Sequence, residues 1–169
     1  MGRDLPGISG SDGALTPEMA TLRTDGGARG NPGPAGAGFV LEAADGSIMA
    51  EGGRFLGETT NNVAEYEALI WGLETAKGLG VRCVLVLSDS ELVVRQVTGV
   101  YRVKHANMRP LFVRAMQLLR QFEAYEMRHV PRAENAEADR LVNEAIDVRG
   151  PVGDAIETLG EPDQPALFD

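Results

Sequence analysis

The chain has 169 residues, 43% of them hydrophobic but only 5% aromatic, and a formal net charge of -9 at pH 7. That length suits one domain with a real core. No apolar run approaches the roughly 20 residues needed to cross a membrane, and the start lacks the apolar stretch of a signal peptide.

Residues 1–18 are rich in Gly, Asp and Ser without periodicity and read as a mobile leader. Met19–Thr24 is a candidate first strand. The stretch Asp25-Gly26-Gly27-Ala28-Arg29-Gly30-Asn31-Pro32-Gly33-Pro34 follows, too rich in Gly and Pro to predict helix or strand, so a loop is expected with Asp25 at the strand tip. Ala37–Glu42 and Ile48–Phe55 read as two further strands around the turn Asp45-Gly46, which makes an antiparallel meander. After possible caps at Thr59 to Asn62, the residues Ala64, Ala68, Leu69, Trp71, Leu73 and Ala76 recur at helical spacing. Val81–Leu87 is an apolar run of strand length, as expected for a strand covered on both faces, and it holds the sole cysteine, Cys83. A buried lone cysteine fits a reducing compartment, so a cytoplasmic location is expected. Glu91–Thr98 reads as a short helix, Arg109–Phe122 as a second with Pro110 in its first turn, and Tyr125–Val130 as the last strand. Ala138, Leu141, Val142, Ala145 and Ile146 mark a final amphipathic helix, and residues 150–169 an acidic, disordered tail. The domain is therefore expected over 19–149. It is an α/β fold with a five-stranded mixed sheet: a 1-2-3 meander, parallel strands 4 and 5, and helices on both faces.

The charge is unevenly spread. Residues 1–20 carry one base and three acids, and residues 150–169 five acids and no base, which leaves the span 21–149 at -2. Between Leu92 and Phe122 there is no acid, but there are Arg95, Arg102, Lys104, Arg109, Arg114 and Arg120. Such a stretch is either a solvated helix face or a patch that binds a polyanion on an otherwise acidic protein.

Four acids stand where chemistry is possible: Asp25 beside the Gly/Pro stretch, Glu65 early in a helix, Asp89 past the carboxyl end of the buried strand, and Asp139 early in the last helix. Each alone has an ordinary explanation as a cap, a surface acid or a dipole partner. Together they converge only if strands 1 and 4 and two helix starts meet at one sheet edge, which this element order permits.

At these residues the sequence resembles a type 1 ribonuclease H. The resemblance rests on Thr24-Asp25-Gly26-Gly27 with Gly30-Asn31-Pro32-Gly33-Pro34, Thr60-Asn61-Asn62-Val63-Ala64-Glu65, Ser88-Asp89-Ser90, and His129 followed by Asn135 and Asp139. It implies a ribonuclease-H-like fold and endonucleolytic hydrolysis of the RNA strand of RNA/DNA hybrids. It also implies two Mg2+ ions, with Mn2+ as substitute, held by Asp25, Glu65, Asp89 and Asp139. Clustered carboxylates are costly unless dications neutralise them, and a pair of ions can activate water and stabilise the leaving oxygen. His129 becomes a proton shuttle near the leaving group, and Asn135 positions its loop. Gly26, Gly27, Ala28, Asn31, Thr60, Asn61 and Asn62 resemble the residues that grip phosphate and ribose. Tyr101 is a candidate for stacking on the substrate, and Trp71 stands between that role and the core.

Two departures bear on substrate. The connection from Asp89 to Asp139 is too short for the basic handle many relatives carry, which leaves double-stranded RNA open as a further substrate; Arg102, Lys104 and Arg109 are the partial replacement. Glu91 also stands where many relatives have Gln. In the tail, Gln164-Pro165-Ala166-Leu167-Phe168 resembles the peptide by which bacterial replication proteins dock on the sliding clamp, so the clamp is a candidate partner. A monomer that avoids membranes is expected.

Overall fold

The computed structural model describes residues 18–154, so the predicted leader apart from Glu18, and the peptide Gln164–Phe168, lie outside the described residues. Six strands form one sheet: β1 (Met19–Ala28), β2 (Gly33–Glu42), β3 (Ile48–Thr59), β4 (Cys83–Ser88), β5 (Ala124–His129) and β6 (Val152–Gly153). The helices are α1 (Asn61–Gly78), α2 (Glu91–Val97), α3 (Arg109–Leu119) and α4 (Ala136–Val148), with a 3-10 turn at Arg132–Asn135 leading into α4. The strand order is β5-β4-β1-β2-β3-β6; β1, β2, β3 and β6 pair antiparallel, and β4 and β5 run parallel to β1.

The expected loop after Thr24 is the first correction. β1 continues through Asp25, Gly26 and Gly27 to Ala28, paired with β2 from Ala35 to Gly38, and only residues 29–32 connect the two strands. The glycines serve close packing on both faces rather than a turn. A Cβ on Gly26 would lie 2.3 Å from the carbonyl carbon of Ala64 in α1. On the other face, Gly38 and its cross-strand partner Gly53 would meet the α4 carbonyl oxygens of Ala138 at 2.8 Å and Leu141 at 2.4 Å. Side chains at these positions would hold both helices off the sheet.

The sixth strand is the second correction. Val152 and Gly153 pair with Gly53 and Gly52, and the Glu51 amide donates to Asp154 Oδ1 at 3.0 Å. Val152 and Gly153, assigned from sequence to the tail, thus extend the sheet.

The main core lies between the sheet and α1, where Leu22, Phe39, Leu41, Leu69, Trp71, Leu73, Val84 and Val86 are buried. Trp71 belongs to this core: it is 2% exposed, meets the Phe39 ring edge-on at 4.8 Å, and carries the Arg54 guanidinium 4.0 Å over its face. It has no surface left for a substrate. β4 is less covered than expected. Its Val84 and Val86 are buried, whereas Leu85 and Leu87 are half-buried, because α4 packs over β1, β2 and β3. No helix among the described residues is long and apolar enough to cross a membrane.

Candidate active site

Strand register brings the first two acids together. β1 and β4 are parallel neighbours with Thr24 opposite Ser88, so Asp25 and Asp89, one residue further on, reach the same level at the carboxyl end of the sheet. Thr60 caps α1 by accepting from the Val63 amide at 3.2 Å, and the glycine contact at Gly26 presses this first turn onto β1, which delivers Glu65. One carboxylate oxygen each from Asp25, Glu65 and Asp89 lies within 4.8 Å of the others. Asp139, in the first turn of α4, stands outside this trio but close enough to Asp25 to raise it. All four acids line one open cleft of about 410 Å3.

The trio carries an electrostatic penalty. Asp25 is pushed from 3.8 up to about 8, first by burial and then by the charges of Asp89 and Asp139. Glu65 is raised well above its ordinary value by burial and by Asp25 and Asp89. Glu65 Oε1 is buried with no hydrogen-bond partner. Acids that repel each other and leave a buried oxygen unpaired need an outside cation or a proton. The donors are all carboxylate oxygens, which fits a hard divalent cation such as Mg2+ or Mn2+.

The remaining predicted site residues divide. Gly26, Gly27, Ala28 and Asn61 line the cleft; Asn31, Thr60, Asn62, His129 and Asn135 do not. Asn61 Oδ1 accepts from the Ala28 amide at 2.8 Å and Asn31 Oδ1 from the Asn61 amide at 3.0 Å, so these two side chains also fasten the β1–β2 turn to α1. Asn135 is fully buried and donates to the Thr24 carbonyl at 2.8 Å, tying the 3-10 turn to β1 beside Asp25. Asn62 faces a neighbouring depression with Gln96, Tyr101, Arg102, Lys104 and His105. His129 ends β5 opposite Ser88 and is exposed.

Sequence reasoning missed Arg29, Arg132 and Asn143, which also line the cleft. Arg29 is held by Asp147 at 2.8 Å and by the Asn143 side chain at 3.1 Å, and Asn143 in turn donates to the Asp139 carbonyl. The two Arg29 contacts span more than a hundred residues, and no local spacing marks them. Arg132 lies seven positions before Asp139 and looks like any surface arginine until the turn is placed.

A mixed sheet of this order, with acids gathered where two parallel strands end, defines the ribonuclease-H-like architecture. The model for "Reverse transcriptase-like" domains matches residues 23–145. A ribonuclease HI of Halobacterium salinarum is 49% identical over 123 residues, which cover 73% of this chain and 62% of the relative. A bifunctional protein of Mycobacterium tuberculosis is 50% identical over 127 residues, 75% of this chain but 35% of the relative. The chain thus spans about a third of the mycobacterial relative's length and under two thirds of the archaeal one's. The crystal structure of LC11-RNase H1 in complex with RNA/DNA hybrid superposes with a TM-score of 0.73 at 46% identity, covering 77% of this chain and 98% of that one. The chain belongs to the type 1 ribonuclease H family.

Proposed function

We propose that the protein is an endoribonuclease that cuts the RNA strand of RNA/DNA hybrids with two divalent cations, Mg2+ or, as substitute, Mn2+. The observation that carries this is the carboxylate trio within 4.8 Å in a chain of this family; the hybrid held by LC11-RNase H1 supports the substrate. Asp25, Glu65 and Asp89 would hold one ion, and Asp25 with Asp139 would hold the other. Bound dications supply the Lewis-acid charge that activates water and offsets charge on the leaving oxygen. The chain's own groups do the rest. Gly26, Gly27 and Asn61, which line the cleft, are the groups nearest to phosphate and ribose, with Asn31 holding Asn61 in place. A 2′-hydroxyl that both donates and accepts distinguishes RNA from DNA there. His129, exposed at the end of β5 beside Asp89, takes or returns a proton at the leaving group.

Beyond the cleft, Arg102 and Lys104 line the depression beside Asn62, while Arg95 and Arg114 are occupied by Glu91 and Glu74. Only part of the basic stretch is therefore available to the second strand. End-labelled hybrid is expected to be cut in Mg2+ and to survive in EDTA, with single-stranded RNA, duplex DNA and double-stranded RNA as comparison substrates. An uncut hybrid in Mg2+ overturns the proposal. For the tail, a synthetic peptide spanning Gln164–Phe168 is expected to bind purified sliding clamp, and silence at high micromolar concentration removes that partner.

Metal loading also has a thermodynamic signature. Between about pH 4 and pH 8 folded Asp25 keeps a proton that the unfolded chain has released, and the raised Glu65 acts in the same direction, so the native state binds more protons and metal-free stability falls as pH rises. Mg2+ competes with those protons. Its gain in melting temperature is expected to be small near pH 5 and to grow toward pH 8. At a concentration a hundred times its Kd the gain is about 2.7 kcal/mol, or roughly 8 °C. Thermal melts followed by circular dichroism across this pH range check it, and a gain independent of pH contradicts it.

A further inference from the structure

Resting on the two-cation reading above, we infer that Arg29 is a positioning residue: it holds α4 in register with β1, so that Asp139 stands opposite Asp25 and the ion those two acids would share can bind. The need for such a tie lies in how α4 meets the sheet. Gly36, Gly38 and Gly53 leave the backbone of α4 lying directly on strand backbone. A surface without side chains fixes how high a helix sits, but no ridge interlocks to stop it sliding along its axis. Asp25 and Asp139 carry like charge, and their repulsion drives them apart.

Polar ties to β1 supply the missing constraint. Asn135, Asp139, Asn143 and Asp147 recur at every fourth position and so form one stripe along α4 and the turn before it. At one end of the stripe, Asn135 Nδ2 donates to the Thr24 carbonyl at 2.8 Å. At the other, Arg29 donates to Asp147 Oδ1 at 2.8 Å and to Asn143 Oδ1 at 3.1 Å. Asp139 lies one turn from Asn135 and one turn from Asn143, just as Asp25 lies between Thr24 and Arg29. Asn143 also donates to the Asp139 carbonyl at 3.0 Å, so the side chain that Arg29 holds is itself bonded to the residue carrying the ligand.

The base of Arg29 is firm enough to transmit this hold. The Ala28 amide donates to Asn61 Oδ1 at 2.8 Å, and the Arg29 amide to the Pro34 carbonyl at 2.8 Å. A planar guanidinium that meets two acceptors on one helix face fixes angle as well as distance. The Arg29–Asp147 pair is exposed, so it adds little to overall stability. Its effect falls on the placement of a ligand, where a shift of about 1 Å matters. Arg29 lines the cleft and Asp147 does not, which separates a positioning role from contact with substrate.

The test measures, for the full chain on hybrid, the Mg2+ concentration that gives half-maximal kcat. Arg29→Ala is expected to raise it about tenfold with the KM for hybrid little changed, and Arg29→Lys about threefold, because lysine keeps the charge and loses the fork. Asp147→Ala is expected to raise it about threefold as well, although this side chain lies outside the cleft lining. The melting temperature of Arg29→Ala in EDTA should stay within about 4 °C of the parent's, as for an exposed pair. Crystals of Arg29→Ala and of the parent grown in Mn2+ read the geometry without activity. In the variant, Asp139 is expected about 1 Å further from Asp25, with manganese density beside Asp139 weakened and density beside Glu65 and Asp89 kept. An unchanged half-maximal concentration overturns the assignment, and so does a rise in the KM for hybrid alone, which would make Arg29 a substrate contact. A parent-like value for Asp147→Ala overturns it too. A parent chain that binds hybrid without cutting it sinks the hydrolytic reading instead; the crystals then decide Arg29 alone, and an Asp139 that keeps its parent position overturns the assignment.

Discussion

Asp25→Asn is expected to reduce hybrid hydrolysis by about a thousandfold, some 4 kcal/mol of transition-state stabilisation, while making the metal-free protein harder to melt. Both effects have one cause. Asp25 is the most buried of the trio and faces Asp89 and Asp139 across the cleft, so its carboxylate is held at a cost that only bound cations remove. Asparagine keeps the shape, removes the charge and cannot bridge cations. At pH 7.5 in EDTA the variant is expected to melt several degrees above the parent, since a folded-state value near 8 against an ordinary 3.8 means that folding pulls protons onto Asp25. In Mg2+ the order should narrow or reverse, because the parent gains cation binding and the variant does not. Differential scanning calorimetry in both buffers checks it. A variant that melts lower than the parent in EDTA would mean that the cluster is not strained.

Gly26→Ala is expected to be among the most damaging single-methyl changes in the described residues. The added carbon would sit 2.3 Å from the carbonyl carbon and oxygen of Ala64 and 2.5 Å from the amide of Glu65. These are backbone atoms in the first turns of a helix, and they cannot rotate away. Either β1 and α1 separate or the helix start unwinds, at about 3 kcal/mol or more. The displacement falls between Asp25 and Glu65, so activity should be lost even at temperatures where the variant stays folded. Gly27→Ala is the control: its Cβ would approach only Asn61 Oδ1, at 3.8 Å, and its stability should stay near the parent's. Urea denaturation gives both values, and equal midpoints for the two variants would contradict the packing argument.

The same glycines explain what the sequence made legible and what it did not. The change from period two to period 3.6 near Thr60, and the apolar run ending at Asp89, located most strands and helices and set the four acids at one end of the sheet. Gly26 and Gly36 misled because glycine in sequence signals a turn, whereas here it signals a helix backbone lying directly on a strand. That distinction exists only once α1 and α4 are in place. Val152–Gly153 escaped because two residues have no periodicity, and their partner strand lies a hundred positions earlier. Arg132 and Arg29 escaped for a similar reason: their meaning comes from the cleft they reach, not from their neighbours in the chain.

The central claim is that four distant acids are folded together to hold divalent cations. Crystals of the protein grown in millimolar Mn2+ and measured near the manganese edge test it without reference to any substrate. The account predicts anomalous peaks inside the cleft bounded by Asp25, Glu65, Asp89 and Asp139, and an Asp25→Asn crystal with those peaks weakened or gone. An ordered, empty cleft in the parent crystal, or manganese bound only elsewhere, would contradict it.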